Sequence, residues 1–492
     1  MTEVLLSVPV AAPLLGAGLQ VVVRVRVQAA IGLAVTAAVL AVSGVLVSST
    51  LDGSVLTQRL GDWPQGIAIT FAADTFSAVM LGVTALVVIA CLAFAVASGE
   101  DWNPGFGPLV MIMSAGTYGA FLTADLFTFF VLVELMLVPS YALLTMAGGG
   151  HRVRAGRLYV AVNLLASTTL LAGIGLVYGT AGTVNLAALA GAGTASVHVA
   201  VGAGVVLTAL AVKAAAVPVH GWLPATYPHA SPVVTALFSG LLTKVGVYGI
   251  MRIYAVVFEG SAGFHWLIMV VAAATMVVGV LAAVGEQAVR PILAFHMVSQ
   301  IGYIILGLSL FTDLGLAAAV FFMVQYIPVK ACLFLVAGAI EVTFGTDRID
   351  RLGGITSREP ILAVTFAVAA MALVGIPPLS GFVGKFVLVR AAAADGEYLG
   401  GALVVAVSLV TLISMVKVWN TVFWGREHEP VEWAARAAVT TRVRPGLVVP
   451  PLALAVVSVA AGLGAHPLLA VAEAAGGGLL DVSAYVTAVL GS

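Results

Sequence analysis

The sequence contains few charged residues. Only 9% of its 492 residues are Asp, Glu, Lys or Arg, whereas a soluble domain carries roughly 25%. Hydrophobic residues make up 61% of the chain. So little charge cannot cover the surface of a soluble protein of this length, which excludes a string of soluble domains. The composition predicts a protein that crosses a lipid bilayer many times.

Two further shortages exclude other classes of protein. Cys91 and Cys332 are the two cysteines, and each lies in an apolar run, so neither a disulfide framework nor a cysteine-based metal site is expected. The formal net charge is −1, which leaves no basic surface for nucleic acid. The sequence also lacks a glycine-rich phosphate loop, a zinc-ligand spacing, a haem motif and a Ser/His/Asp arrangement. We expect no cofactor, no bound metal and no enzyme active site.

Long apolar runs supply the membrane-spanning segments, each of which needs about 20 mostly apolar residues. The sequence offers fourteen such windows, at approximately 4–21, 29–48, 70–97, 108–123, 126–147, 158–178, 199–220, 231–256, 264–284, 290–310, 315–342, 360–391, 400–424 and 446–465. We predict an all-α fold with about 14 transmembrane helices. The first window is expected to stay in the membrane, because the residues before it are acidic rather than basic. The glycine-rich stretch 466–492 is left unassigned.

The arginines are concentrated in alternate loops. The loops that follow odd-numbered windows hold 13 of them, whereas the loops that follow even-numbered windows hold Arg59 alone. Basic residues accumulate on the cytoplasmic side of membrane proteins. We therefore predict a multi-pass protein of the cell (plasma) membrane with its odd-numbered loops in the cytoplasm and its N-terminus outside.

The lysines are placed differently from the arginines. Fourteen of 16 arginines fall in loops, but all five lysines fall inside windows: Lys213, Lys244, Lys330, Lys385 and Lys417. A buried lysine can release its proton, whereas arginine cannot. Glu134 lies in the middle of a window, where a carboxylate must be neutral or paired. This distribution predicts a path for protons. The alternative for each lysine, above all Lys417, is a structural ion pair or a side chain that extends to the interface.

Proline and glycine clusters should interrupt two of the windows. One cluster spans residues 213–224 (KAAAVPVHGWLP) and the other spans residues 375–385 (GIPPLSGFVGK). Proline removes a helical hydrogen bond and clashes with the preceding turn. The breaks fall in windows 7 and 12, which suggests two inverted five-helix repeats. We accordingly divide the chain into N-terminal helices (1–107), a first repeat (108–258), a second repeat (259–424), and a cytoplasmic loop with a C-terminal helix (425–492).

These residues resemble those of a known family, the proton-translocating antiporter-like proteins. The similarity covers nearly the whole chain and is carried by Glu134, Lys213 with the PVHGWLP break, LLTKVGVY around Lys244, FHMVSQIGY around His296, KACLFLVAG from Lys330, and the break that ends at Lys385. The family includes subunits of Mrp-type multisubunit Na⁺/H⁺ antiporters and the pumping subunits of respiratory complex I. The LLTKVGVY and GTDR segments and the length of 492 residues look most like those of D-type Mrp subunits. Lys385 agrees, because M-type complex I subunits usually have a glutamate in this window.

The resemblance implies how the buried residues work. Glu134 and Lys213 would form the switching ion pair of a first half-channel. Lys244 would pass protons to the centre through His296 and Lys330, and Lys385 would end the path in a second half-channel. The residues that could assist are His220, His229, Tyr326, Lys417 and Asp74. The resemblance also implies a hetero-oligomeric membrane complex with subunits like Mrp A, B, C, E, F and G, and exchange of H⁺ for Na⁺.

One segment departs from the family pattern. The family usually places a histidine a few residues before the lysine of window 11, but here the chain reads QYIPVK from Gln325 to Lys330. Tyr326, Gln325 or water could replace the histidine. Two other functions stay open: a proton-pumping, M/N-like subunit of complex I or of a membrane-bound hydrogenase, and a structural subunit that transports nothing. Five embedded lysines argue against the structural subunit, because a scaffold gains nothing from their desolvation.

Overall fold

The computed structural model describes residues 3–63, 68–425 and 442–491. Helices dominate it, and in chain order they are α1 (Val8–Val22), α2 (Val25–Thr50), α3 (Thr75–Ser98), α4 (Phe106–Leu122), α5 (Leu126–Thr145), α6 (Gly150–Ala181), α7 (Ala192–Ala195), α8 (Val197–Ala214), α9 (Trp222–Thr226), α10 (Pro232–Phe258), α11 (His265–Gly285), α12 (Val289–Leu310), α13 (Asp313–Phe344), α14 (Ile355–Arg358), α15 (Pro360–Val374), α16 (Ser380–Ala394), α17 (Tyr398–Val418), α18 (Pro445–Leu463), α19 (Ala465–Leu480) and α20 (Ser483–Leu490). The strands are β1 (Leu56–Arg59) and β2 (Thr70–Ala73).

Most of these helices suit a bilayer. Among the described residues, eleven helices are long and apolar enough to cross a membrane, and α1, α4 and α15 are shorter apolar helices. Helices α19 and α20 form a further apolar pair, bent by 71° at the break between them. The prediction of an all-helical membrane protein is therefore confirmed. The cytoplasmic loop predicted from residue 425 lies mostly outside the described residues, which resume at Arg442.

Three helices form the centre of the bundle. In the most apolar segments of α10 and α12, 94% of the residues are buried inside the protein, and in that of α13 all of them are. These helices carry Lys244, His296 and Lys330, polar side chains that are costly in contact with lipid and are therefore enclosed by other helices. Helix α13 accordingly packs against α3, α10, α12, α15, α16, α18 and α19. Side chains on these three helices are thus shielded from lipid by the protein itself.

A small sheet occupies the connection between α2 and α3, which the sequence analysis did not predict. Strands β1 and β2 pair antiparallel, with Leu56 opposite Ala73. The helix expected from residue 70 therefore begins only at Thr75. Asp74 fixes this start, because its carboxylate accepts hydrogen bonds from the backbone N–H and the hydroxyl of Ser77.

Both predicted helix breaks are present. Helix α8 ends at Ala214, Ala215 takes a left-handed conformation (φ 58°), and α9 begins seven residues later. Helix α15 ends at Val374, left-handed Gly375 (φ 94°) follows, and α16 begins at Ser380. Each break contains a cis X–Pro peptide bond. The breaks release backbone carbonyl groups from the helical pattern beside the two lysines that flank them in the sequence.

Candidate functional site

Glu134 and Lys213 are connected through a serine. The ammonium group of Lys213 donates a hydrogen bond to Ser167 Oγ at 2.8 Å, and that hydroxyl donates a short hydrogen bond to Glu134 Oε1. Lys213 and Ser167 are 5% and 3% exposed, and Glu134 is half-buried. No direct ion pair joins Glu134 to Lys213 in the described structure. The acid and the amine are thus brought together, but a hydroxyl group lies between them.

Each member of this group comes from a different helix. Glu134 lies in the middle of α5, Ser167 lies in the middle of α6, and Lys213 occupies the last turn of α8, directly before the break. The sequence analysis missed Ser167. A serine in an apolar window is common, because its hydroxyl can bond to the carbonyl one turn earlier in its own helix. Only the packing of α6 against α5 and α8 distinguishes this serine.

Lys244 lies over an aromatic ring at the centre of the bundle. It is 1% exposed, and its Nζ donates to the carbonyl of Ser239 at 2.5 Å and contacts Thr243 Oγ1 at 3.3 Å. The same ammonium group lies 4.6 Å from the centre of the Tyr326 ring. A cation over the face of a ring is attracted by the ring quadrupole. Tyr326, one of the residues suggested as a substitute for the missing histidine, is thus in contact with Lys244.

The side chain of Lys385 caps the C-terminal end of α15, the helix that precedes the second break. Its Nζ donates to the carbonyls of Leu373 and Val374, both at 2.9 Å, and lies 4.6 Å from the centre of the Tyr303 ring. The last carbonyls of a helix carry partial negative charge, which a lysine stabilises. An open cavity of about 350 Å³ lies beside Lys385 and is also lined by Ser408.

His296 on α12 and Lys330 on α13 have few polar contacts. His296 Nε2 lies 3.0 Å from Ser414 Oγ, whereas Lys330 Nζ has no hydrogen-bond partner in the described structure. The charges of Lys330 and Lys385 act on His296, and that of Lys244 acts on Lys330. His296 thus lies within electrostatic range of Lys330 and Lys385, and Lys330 lies within range of Lys244. In the described part of the chain, no hydrogen bond or ion pair connects them to Lys213.

Two of the accessory candidates have structural contacts. Lys417 donates to the carbonyls of Val284 (3.0 Å) and Glu286 (2.7 Å) at the end of α11. Asp74, besides capping α3, forms a 2.6 Å ion pair with the buried side chain of Arg252. These contacts match the structural alternative for Lys417, and they give Asp74 the structural role of a helix cap and ion-pair partner.

His220 and His229 flank the short helix α9. His220 lies in the first break, is partly exposed, and its Nδ1 has no partner among the described residues. Burial lowers the pKa of His229, and the nearby charge of Arg290 lowers it further. Among the described residues, no hydrogen bond joins either histidine to a buried lysine.

The residues that follow α9 are held from three sides. In the segment 229–231, which we call the anchored linker, the carbonyl of His229 accepts from Arg152 (3.0 Å) and the carbonyl of Ala230 accepts from Arg290 (2.7 Å). The hydroxyl of the third residue donates to Glu100, whose pKa is raised by burial. The three charged groups belong to α6, α12 and the turn between α3 and α4. The segment between the first break and α10 is thus tied to both halves of the chain.

Arg290 extends this contact to α13. Its guanidinium donates to Glu341 at 2.8 Å and lies 3.6 Å from Asp347. The loops joined in this way follow windows 3, 5, 7, 9 and 11, and they meet at one end of the molecule. Their meeting agrees with the alternation of loops that the arginine distribution predicts.

A family profile covers most of this site. The profile of the transmembrane region of NADH:quinone oxidoreductases and Mrp antiporters matches residues 123–414, which is more than half of the chain. The chain belongs to this family. The match includes every residue from Glu134 to Lys385 discussed above.

Individual members of the NADH:quinone oxidoreductase/Mrp antiporter family are similar to this chain over nearly their whole length. The D-type subunit of the Na⁺/H⁺ antiporter of Alkalihalophilus pseudofirmus is 36% identical over 92% of both chains. A chain in the structure of the Mrp complex from a Dietzia species is 46% identical, covers 99% of both chains and has a TM-score of 0.94. A chain of respiratory complex I from Thermus thermophilus is 25% identical, with a TM-score of 0.80 over 98% of this chain and 100% of that one.

Proposed function

We propose that the chain is the D-type subunit of an Mrp-like Na⁺/H⁺ antiporter and carries protons through buried lysine, glutamate and histidine side chains and water. It would act as part of a secondary transporter, not as an enzyme. The observation that carries this proposal is the set of four buried amines, Lys213, Lys244, Lys330 and Lys385, the first of which is joined to Glu134 through Ser167. The similarity to a D-type antiporter protein and to a chain of an Mrp complex supports it.

The arrangement in the membrane is part of the proposal. We assign about 14 transmembrane helices in two inverted repeats, 108–258 and 259–424, preceded by helices within 1–107. The two helix breaks support this division because they occur at corresponding places. The N-terminus would lie outside and the end with the anchored linker would face the cytoplasm, where Mrp-type partner subunits would complete the complex.

The first half-channel would work through the serine-bridged pair. While Glu134 accepts from Ser167, its negative charge stabilises the ammonium form of Lys213. When the carboxylate withdraws, the buried ammonium loses its partner, and keeping it charged becomes costly. The proton then leaves toward the centre, where Lys244, Lys330 and His296 lead to Lys385. The break after Lys213 gives the chain a place to move without unwinding a whole helix.

A proton-pumping subunit of a redox complex is the second candidate. The fold similarity to a chain of Thermus thermophilus complex I favours it. The same proton path would serve both functions, so variants in the path do not distinguish an antiporter subunit from a redox-driven pump subunit. Purification of the complex from native membranes does: small antiporter subunits indicate an Mrp-type exchanger, whereas quinone-reductase or hydrogenase subunits indicate a redox pump.

The proposal is tested by ΔpH-driven Na⁺/H⁺ exchange in vesicles that contain the full complex. Exchange that depends on this subunit, and on the charges of Glu134 and Lys213, is the expected result. Wild-type exchange after removal of both charges would reject the assigned roles.

Ser167→Ala is expected to lower exchange about tenfold, because it removes the hydroxyl that joins Lys213 to Glu134. The loss corresponds to one hydrogen bond of about 1.4 kcal/mol. Ser167→Thr keeps a hydroxyl and should retain most of the activity. Initial exchange rates of assembled complexes, measured at several values of pH, check both variants.

Thr168→Val is the matched control on the same helix. Thr168 is exposed, and its hydroxyl donates only to the carbonyl of Leu164. Its replacement should leave exchange unchanged. Equal exchange in Ser167→Ala and Thr168→Val would show that the bridge does not contribute.

A further inference from the structure

A groove opens between the C-terminal end of α5 and the start of α6. Its volume is about 510 Å³, and sites that hold small molecules in proteins measure about 300–1,000 Å³. Apolar side chains line most of it, namely Ala142, Val153, Val160 and Ala161. Val153 is 48% exposed, and Ala142 and Ala161 are exposed as well. The groove is therefore open to the surroundings of the helix bundle.

The groove does not continue into the bundle, because α5 and α6 touch beneath it. A Cβ atom placed on Gly156, which lines the groove, would lie 2.4 Å from Cγ2 of Thr145. Beyond the groove, the exposed side chains of Leu158, Leu164 and Leu165 continue the apolar surface of α6. An occupant of the groove thus lies along the exposed surface of α6, where a long apolar chain can follow it.

The start of α6 carries uncompensated positive charge. Arg154 and Arg157 are both exposed and lie three residues apart, so they share one face of the helix. The N-terminal end of a helix is itself partially positive, which disfavours cations there. The first turn of α6 contains no acidic residue, and the sequence has none between Glu134 and Glu259. In the described part of the chain, neither arginine forms an ion pair.

The groove combines this charge with a free hydroxyl group. Arg157 lines it directly, and Arg154 lies one turn nearer the start of the helix. Tyr141 also lines it, and its buried hydroxyl has no hydrogen-bond partner among the described residues. Buried polar groups in proteins are normally paired. A ligand with an anionic, hydrogen-bonding head and an apolar tail would satisfy all of these groups together.

We propose that this groove binds an anionic phospholipid of the cytoplasmic leaflet. The lipid phosphate contacts Arg154 and Arg157, and an acyl chain lies along the apolar lining. Guanidinium groups bind phosphate oxygens through paired N–H donors, and basic pockets between helices near the cytoplasmic surface bind acidic lipid headgroups. Free phosphate would make the first contact but would leave the apolar lining unused, which favours the lipid.

This lipid site goes beyond the proposed function. It rests on the proposed orientation, which places the start of α6 at the cytoplasmic surface, and on no part of the proton path. The bound lipid offsets the charge of the two arginines and covers the junction of α5 and α6, the helices that carry Glu134 and Ser167. Because a ligand of the folded state stabilises that state, we expect the lipid to strengthen the packing of these helices.

The test measures binding of dioleoyl phosphatidylglycerol to the purified full complex by native mass spectrometry, with wild type and variant titrated side by side. Arg154→Gln combined with Arg157→Gln should weaken binding about 30-fold, because each arginine near an acidic lipid surface contributes about fivefold. Ala161→Trp keeps both arginines but fills the groove, and it should also weaken binding. Dioleoyl phosphatidylcholine, whose headgroup has no net charge, should bind equally to wild type and the double arginine variant.

Arg26→Gln is the matched control. Arg26 is an exposed arginine in the first turn of α2, a helix that packs mainly against α1 and α3. Its replacement removes the same charge and should leave phosphatidylglycerol binding unchanged. Inorganic phosphate in excess should not displace the lipid. A cryo-EM map of the complex in phosphatidylglycerol nanodiscs should show elongated density that runs from Arg157 along the groove.

Three results would overturn the lipid site. Equal phosphatidylglycerol binding by wild type and the double arginine variant rejects it. Displacement of the lipid by inorganic phosphate, with unchanged binding in Ala161→Trp, identifies a free-phosphate site instead. A carboxylate of a neighbouring subunit against Arg157 in the map identifies a protein contact instead. None of these results bears on transport, because Glu134→Gln should bind the lipid normally whether or not it still exchanges ions.

Discussion

Replacing Glu134 with Gln is expected to reduce Na⁺/H⁺ exchange by roughly a hundredfold or more, since removing one partner of a buried charged pair costs about 3–5 kcal/mol. The amide has nearly the shape of the carboxylate but no negative charge. It can still accept from Ser167, so the local contact survives while the stabilisation of the Lys213 cation is lost. Stopped-flow measurement of ΔpH-driven exchange in vesicles with the full complex checks this result.

Three further variants separate charge from assembly. Lys213→Leu should be as inactive as Glu134→Gln. Combining the two should restore thermal stability toward wild type without restoring exchange, because neither charge is then left unpaired. Asp350→Asn changes an exposed carboxylate in a loop and should have no effect. Near-normal exchange in either charge-removing single variant would contradict the role assigned to the pair.

Arg290→Met is expected to destabilise the protein by about 3–5 kcal/mol, the cost of breaking a buried charged network. The guanidinium holds the carbonyl of Ala230, Glu341 and Asp347 together and is nearly buried. Methionine has similar length but no donors, so both carboxylates would lose their cation. A lower midpoint of thermal unfolding of the purified complex, with faster hydrogen exchange in the anchored linker, is the measured outcome.

An exposed ion pair provides the control for this variant. Arg348 and Asp350 pair at 2.8 Å, but their side chains are 48% and 52% exposed. Surface pairs of this kind contribute at most about 1 kcal/mol. Arg348→Ala should therefore hardly move the unfolding midpoint. Equal shifts for Arg290→Met and Arg348→Ala would mean that the buried network does not hold the anchored linker.

The sequence predicted the membrane helices and the helix breaks well, because each depends on residues that are close together in the chain. Apolar runs of helical length predicted the membrane helices, and prolines near Lys213 and Lys385 predicted the breaks, because proline acts on the turn that contains it. The start of α3 was misplaced by a few residues, since β2 and the helix begin in the same apolar run. Glu134 and the lysines stood out because a charge inside an apolar window is costly and therefore conspicuous.

By itself, the sequence determined that this protein lies in a membrane, where its helices break and which amines are buried. The tertiary structure alone decided which groups meet. Ser167 joins residues 33 and 46 positions away, and Arg290 reaches a carbonyl 60 positions away. A helix fixes neighbours only three and four residues apart. Contacts between helices depend instead on how whole apolar surfaces pack. The residues next to a serine in the sequence do not indicate which side chain this packing will place beside it.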